Sequence, residues 1–180
     1  MTEVFVNIKK TIGLILLGFV LVSLPLALHA AATGAVSVKI TFEFEGKFSP
    51  MSAAQVTIMD KEIDLGAVDF RAKQDTEKST NKKRSYHLYR YAYLIREIEN
   101  SRRAGVRQIR SGIVTKRADN NGEVLVRYLV PGDYFIGAYR KTGSGSVVWF
   151  VPFSITAGRS TQVNLDNNNI FEFYDPKLYP

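Results

Sequence analysis

Cysteine is absent from all 180 residues, and histidine occurs only twice, as His29 and His87. Without thiols there is no disulfide frame, no cysteine nucleophile, no zinc–thiolate cluster and no cysteine to carry a lipid, so stability must come from packing. A lone His87 cannot build a histidine-based metal cluster, and a Ser-His-Asp triad would need it held by a third group within a stretch that reads as the start of a helix. The asparagine-rich turns DNNG (119–122) and LDNNN (165–169) lack the ligand spacing of a calcium loop and read as turns. No catalytic residue, metal ligand or cofactor is therefore assigned. Acidic residues are also scarce, 17 against 24 lysines and arginines, and the formal charge of +7 suits anionic partners.

Long apolar runs are missing except at one place. Lys9 and Lys10 precede Thr11–Leu28, TIGLILLGFVLVSLPLAL, and small residues follow in HAAATG. This layout reads as a secretory signal over residues 1–32 with cleavage after Ala32, and Pro25 and the alanines favour cleavage over an uncleaved anchor. The protein is expected to be exported, periplasmic or extracellular, which makes nucleic acid a poor partner. The remaining chain, 33–180, is long enough for one packed domain.

Strand signals dominate that domain. In Val36–Glu45, Val36, Val38, Ile40, Phe42 and Phe44 alternate with Ser37, Lys39, Thr41, Glu43 and Glu45, the period of a half-buried strand. GKFSPMS breaks the pattern, and Ala53–Asp60 supplies a second strand around Val56 and Ile58. Further strands follow the DNNG turn, with an irregular step at Arg127 and Tyr128 that suggests a bulge. The PGD turn comes next, then Tyr134–Ala138, VVWFVPFSI and TQVNL. The tail, 166–180, is unusually apolar in IFEFYDPKLYP and is expected to add an edge strand or to dock on a partner. Strands of this length between tight turns describe an antiparallel β-sandwich.

One segment departs from this pattern. Residues 61–110 carry an expected amphipathic helix in SYHLYRYAYLIREIENSRRAG, with Leu88, Tyr91, Ala92, Ile95 and Ile98 as its apolar face, preceded by a polar loop over Asp75–Arg84. From Arg71 to Arg117 there are fourteen lysines and arginines against four acids. The expected contact surface for an anionic partner is Lys82, Lys83, Arg84, Arg90, Arg102, Arg103, Arg107 and Arg110, interleaved with Tyr86, Tyr89, Tyr91 and Tyr93.

The run TKRADNNGEVLVRYLVPGDYFI resembles carboxypeptidase-regulatory-like, or transthyretin-like, domains through Asp119, Gly122, Leu129, Pro131, Gly132 and Tyr134. The resemblance covers 113–165 well and 36–59 in outline. It implies a mainly β, antiparallel Greek-key β-sandwich, transthyretin-like or immunoglobulin-like, here with one inserted helix. It also implies that the motif builds a corner, Tyr134 burying its ring while its hydroxyl bonds backbone near the turn. The family includes a ureide hydrolase that needs several histidines and a Tyr-Arg-Gly-Ser type ending; this chain lacks both. A Lys–Asn crosslink between Lys39 and Asn164 is disfavoured because the alternation puts both on the outer face.

These readings converge on a non-enzymatic accessory module of the cell envelope. Its partner is an envelope protein or an anionic surface or glycan, met through the basic insertion, with no nucleic acid and no cofactor. The alternative is a carbohydrate-binding module that uses Trp149, Tyr139 and Phe135 as exposed aromatics.

Overall fold

In a computed structural model, which describes residues 32–107, 113–142 and 145–178, nine strands form two sheets and two helices lie between the third and fourth strands. The first sheet centres on β1 (Gly34–Phe44). It pairs antiparallel with β2 (Lys47–Pro50) and β5 (Glu123–Leu129), and parallel with β8 (Ser160–Leu165). The second sheet runs β4 (Val114–Arg117), β3 (Gln55–Met59), β6 (Gly132–Lys141), β7 (Ser146–Ile155), β9 (Ile170–Tyr174), all antiparallel. The sandwich expected from the alternation is present, with β1–β8 as a parallel exception.

The core between the sheets follows the period of two. Val36, Val38, Ile40 and Phe42 of β1 meet Val56 and Ile58 of β3, Tyr134, Ile136 and Ala138 of β6, and Val147 and Trp149 of β7. The DNNG turn closes with Asp119 Oδ1 accepting from the backbone N–H of Asn121 at 2.9 Å and of Glu123 at 2.8 Å. Gly122 sits at φ +74°, where a Cβ would lie 2.4 Å from the Ile40 carbonyl oxygen, so glycine alone fits. The bulge is Tyr128 at φ +65°: Ala35 pairs with Arg127 and Gly34 with Leu129, leaving Tyr128 as the extra residue. Tyr134 is buried and donates its hydroxyl to the Val130 carbonyl at 2.8 Å, the corner geometry expected.

Four expectations need correction. GKFSPMS is not a plain break but holds the edge strand β2, and the strands on either side of it, β1 and β3, lie in different sheets. The insertion has two helices, not one: α1 (Leu65–Thr76) and α2 (Lys82–Arg107). The polar loop assigned to Asp75–Arg84 shrinks to Glu77–Asn81, because Asp75 and Thr76 finish α1 and Lys82–Arg84 begin α2. α1 escaped notice because its buried stripe is only Val68, Ala72 and Thr76, the last a polar residue that satisfies its hydroxyl on the Ala72 carbonyl at 2.7 Å. Lastly, Leu88 and Ala92 are exposed, and the face that α2 buries is Tyr91, Leu94 and Ile98.

That face lies on the outer side of the second sheet, over Met59, Phe135, Val148, Phe150 and Phe171. Contact is closest at Gly137, where a Cβ would sit 2.7 Å from Ile98 Cγ1. The molecule therefore has three layers: sheet, sheet and helices. The apolar tail supplies β9, an edge strand whose Ile170 and Phe173 pack on the core between the sheets, Phe173 against Phe42, and whose Phe171, Glu172 and Tyr174 face the helices. Lys39 and Asn164 are register partners on the exposed outer face of the first sheet, where Lys39 Nζ lies 3.3 Å from Glu123 Oε1. The expected signal segment, residues 1–32, lies outside the described residues except for Ala32. No helix among the described residues is long and apolar enough to cross a membrane.

Candidate functional site

The helical layer carries the charge, and its basic residues divide into two kinds. The first kind is built into the layer. Arg90 lays its guanidinium over the Phe171 ring at 4.3 Å and places Nη1 3.0 Å from Glu172 Oε2. Its Nε is buried 3.1 Å from Asp69 Oδ1 without being aligned to donate to it, an ion pair more than a hydrogen bond. His87 Nδ1 lies 3.0 Å from the other Glu172 oxygen. The buried carboxylate of β9 is thereby held by α2, and α2 is tied to α1 through Asp69. Lys73 at 2.8 Å and the Tyr86 hydroxyl at 2.5 Å complete the Asp69 site. Hydrogen bonds from Lys73 and Tyr86 hold the Asp69 carboxyl below the usual carboxylate range, against the opposing effect of burial.

At the other end of α2, Glu99 accepts from Gln55 Nε2 at 2.6 Å, the Tyr139 hydroxyl at 2.7 Å and Arg102 Nε at 2.8 Å. Burial acts to raise the Glu99 pKa, but the hydrogen bonds from Tyr139 and Arg102, with that of Gln55, prevail and lower it. The Tyr139 phenol is pushed up to about 12, by burial first and then by its bond to the carboxylate. The tyrosines interleaved with the cations serve the same purpose: Tyr93 bonds Asp75 of α1, Tyr89 stacks on Tyr93, and Tyr91 is buried. Basic and aromatic residues that read as a contact surface are in good part the joint between two helices and a sheet.

The second kind faces solvent. Lys82, Lys83 and Arg84 form the first turn of α2, which contains no acid. Asn81 caps this turn, its Oδ1 accepting from the Arg84 backbone N–H at 3.0 Å, and Lys82 reaches Glu77 at 3.1 Å. Arg103 is exposed roughly 30 Å along the helix from Lys82, at 1.5 Å per residue. Arg107 ends α2, and Arg110 lies outside the described residues. The eight expected cations are therefore not one patch: Arg90 and Arg102 are engaged internally, and the exposed ones sit toward opposite ends of α2.

The aromatics of the carbohydrate alternative are not exposed. Trp149 is fully buried between the sheets and donates Nε1 to the Asp166 carbonyl at 2.9 Å. Phe135 and Tyr139 point the other way, into the layer beneath α2, where Phe135 stacks on Phe150 and Tyr139 bonds Glu99. The alternation of β6 sets Phe135 and Tyr139 on the face opposite Tyr134, and what a period of two could not show is that a helix covers that face. Glu172 went unnoticed although it is the one acid in the apolar run IFEFY, a pattern that itself asks for a buried cationic partner.

No family model matches the sequence, and no curated protein matches it. Among solved structures, a minor pilin of Streptococcus agalactiae is similar at a TM-score of 0.42 and 10% identity, over 75% of this chain and 44% of that one. A Pseudomonas aeruginosa protein to which carbohydrate binding is provisionally ascribed gives 0.43 and 11%, over 78% and 92%. The shaft pilin SpaA of Lactobacillus rhamnosus GG gives 0.35 and 9%, over 76% and 50%. The chain thus spans less than half the length of the Streptococcus agalactiae pilin, and all three likenesses lie below a TM-score of 0.5.

Proposed function

We propose that this protein is an exported, non-enzymatic accessory module of the cell envelope, a relative of the carboxypeptidase-regulatory-like domains, that binds an anionic partner through the solvent-facing cations of its helical layer. Export rests on the lysine-led apolar run and the alanines after it. The kinship rests on the DNNG turn and on the Tyr134 corner, whose hydroxyl reaches back to Val130. The observation that carries the binding role is Lys82-Lys83-Arg84 in the first turn of a 26-residue helix. The helix macrodipole disfavours cations there and favours acids. Three consecutive exposed cations at the end where the dipole already favours anions give this end of the helix a positive field that suits a polyanion outside the fold.

The test uses that conflict. Changing Lys82, Lys83 and Arg84 together to Glu should leave the melting temperature unchanged or slightly raised. Retention on an anionic resin or on washed envelope fractions at low salt should fall at least tenfold, with a shallower salt dependence. Retention equal to that of the unchanged protein would contradict the binding role.

A further inference from the structure

Helices cover the outer face of the second sheet, whereas the outer face of the first is exposed, and one end of it is a groove of about 290 Å³. Register explains its shape. Ala35 of β1 pairs with Arg127 of β5 on one side and with Ser160 of β8 on the other. With neighbouring strands about 4.8 Å apart, Arg127 and Ser160 stand roughly 10 Å from one another across the small Ala35, which forms the floor. Gly158 extends that floor at φ +69°, with open space where a side chain would be. Arg159 and Tyr128 complete the walls.

Two features of this groove serve nothing in the fold. Tyr128 is the extra residue of the bulge, a non-glycine at φ +65° whose side chain is 80% exposed. Glycine or asparagine would make the same bulge with less strain, and a polar side chain would meet water more favourably. A ring kept there against both preferences is the kind of backbone outlier that collects at binding sites. Arg127 and Arg159 are exposed, and among the described residues their side chains make no ion pair or hydrogen bond. No acid lines the groove, and Glu123, further along β5, is turned to Lys39. We infer that this groove binds an acidic sugar: one sugar face stacks on Tyr128, the carboxylate meets Arg127 or Arg159, and hydroxyls meet Ser160. A bare polyanion would not need the ring, and an apolar partner would strand the two guanidiniums, so the two features together select a ligand with both a stacking face and an acid. A nucleotide offers the same combination, and the export expected from the leader favours the sugar. This site stands apart from the anionic-partner reading, whose cations lie on the helices beyond the other sheet.

Binding is measured by NMR titration and calorimetry on the processed chain, residues 33–180, with a trisaccharide of galacturonic acid as probe. Maltotriose, tri-aspartate and adenosine monophosphate serve as comparisons at the same salt concentration. The expected result is saturable binding of the acidic trisaccharide, at least tenfold tighter than of any comparison, with amide shifts confined to the segments around Ala35, Tyr128 and Arg159. Tyr128→Asn puts a residue that tolerates the bulge in place of the ring, so the melting temperature should be unchanged or raised while affinity falls at least fivefold. Arg127→Gln with Arg159→Gln should lower affinity at least tenfold, and Lys82, Lys83 and Arg84 together changed to Glu less than twofold. If tri-aspartate binds as tightly as the sugar and Tyr128→Asn changes nothing, the sugar assignment is wrong. Tighter binding of adenosine monophosphate, lost in Tyr128→Asn, would put a nucleotide in the sugar's place. Absence of binding, or shifts that fall on α2 instead of the groove, would overturn the site, whatever the fate of the anionic partner on the helices.

Discussion

The second sheet is covered on both faces, and the two coverings are made of different material. Toward the first sheet it buries Val56, Ile58, Ile136, Ala138, Val147 and Trp149, a core whose few polar atoms are bonded to backbone, as with Trp149 Nε1 and the Tyr134 hydroxyl. Toward the helices it buries a smaller apolar set around Leu94, Ile98 and Val148, flanked by two carboxylate hubs, Glu172 and Glu99, each with partners on a different element. The first interface is held by area removed from water, which does not depend on ionised groups. The second depends in addition on ionised groups, so it answers to pH, salt and single charge changes. The lesson is that the basic, tyrosine-rich composition of α2 in good part serves attachment to the scaffold.

The comparison can be broken most severely from the sandwich side. Trp149→Ala should cost about 3–5 kcal/mol, as expected for truncating a fully buried aromatic, and should lower the global unfolding transition with little dependence on salt. Next in size is Glu172→Ala, which strands Arg90 against Phe171 with one carboxylate fewer. A loss of about 2 kcal/mol is expected, of the order of a hydrogen bond to a charged group, and helix protection should fall more than strand protection. Calorimetry together with amide exchange separates the two variants; equal effects on both layers from Glu172→Ala would deny the hub its local role.

Smaller still is Tyr134→Phe, about 1 kcal/mol for one hydroxyl-to-carbonyl bond, measured in denaturant titrations and expected to be global. The alkaline limb should then expose Tyr139. Its folded pKa is raised above the ordinary tyrosine value, so its contribution is complete below about pH 10 and is lost as pH rises toward about 12. Tyr139→Phe should flatten that decline, and an unchanged slope would mean that the Glu99 bond contributes nothing.

How much of this was legible in the sequence differs between the same two regions. The alternation of Val36–Phe44, the DNNG turn and the Leu129-to-Tyr134 corner specify strands, faces and even the Tyr128 bulge, because each is a local rule with a short period. The helical layer is not local. Its apolar stripe is interrupted by a buried polar residue, Thr76 in α1, bonded to its own helix backbone, and exposed residues such as Leu88 fall on the expected apolar face. Arg90 looks like any surface arginine until Glu172, 82 residues later, is brought against it.

A further consequence concerns removal of the insertion. The sandwich strands lie outside residues 61–110, yet Phe135, Phe150 and Phe171 would lose their cover. A chain joining Asp60 to Ser111 by a Gly-Ser linker should therefore keep its strands but bind hydrophobic dyes and self-associate. A soluble, dye-free monomer would show that the helical cover is dispensable.

Native-state hydrogen exchange, read as protection factors at pH 7 and pH 3, tests the two-material account most directly. Asp69 and Glu99 have depressed pKa values, so their contribution is present above the usual carboxylate range and is lost as pH falls through the lowered values. At pH 7 the amides of α2 between Tyr86 and Ser101 should already exchange through an opening that leaves β6 and β7 protected. At pH 3 protection of α2 should fall at least tenfold more than that of the strands. Helix and strand amides that share one opening free energy at both pH values would contradict the account.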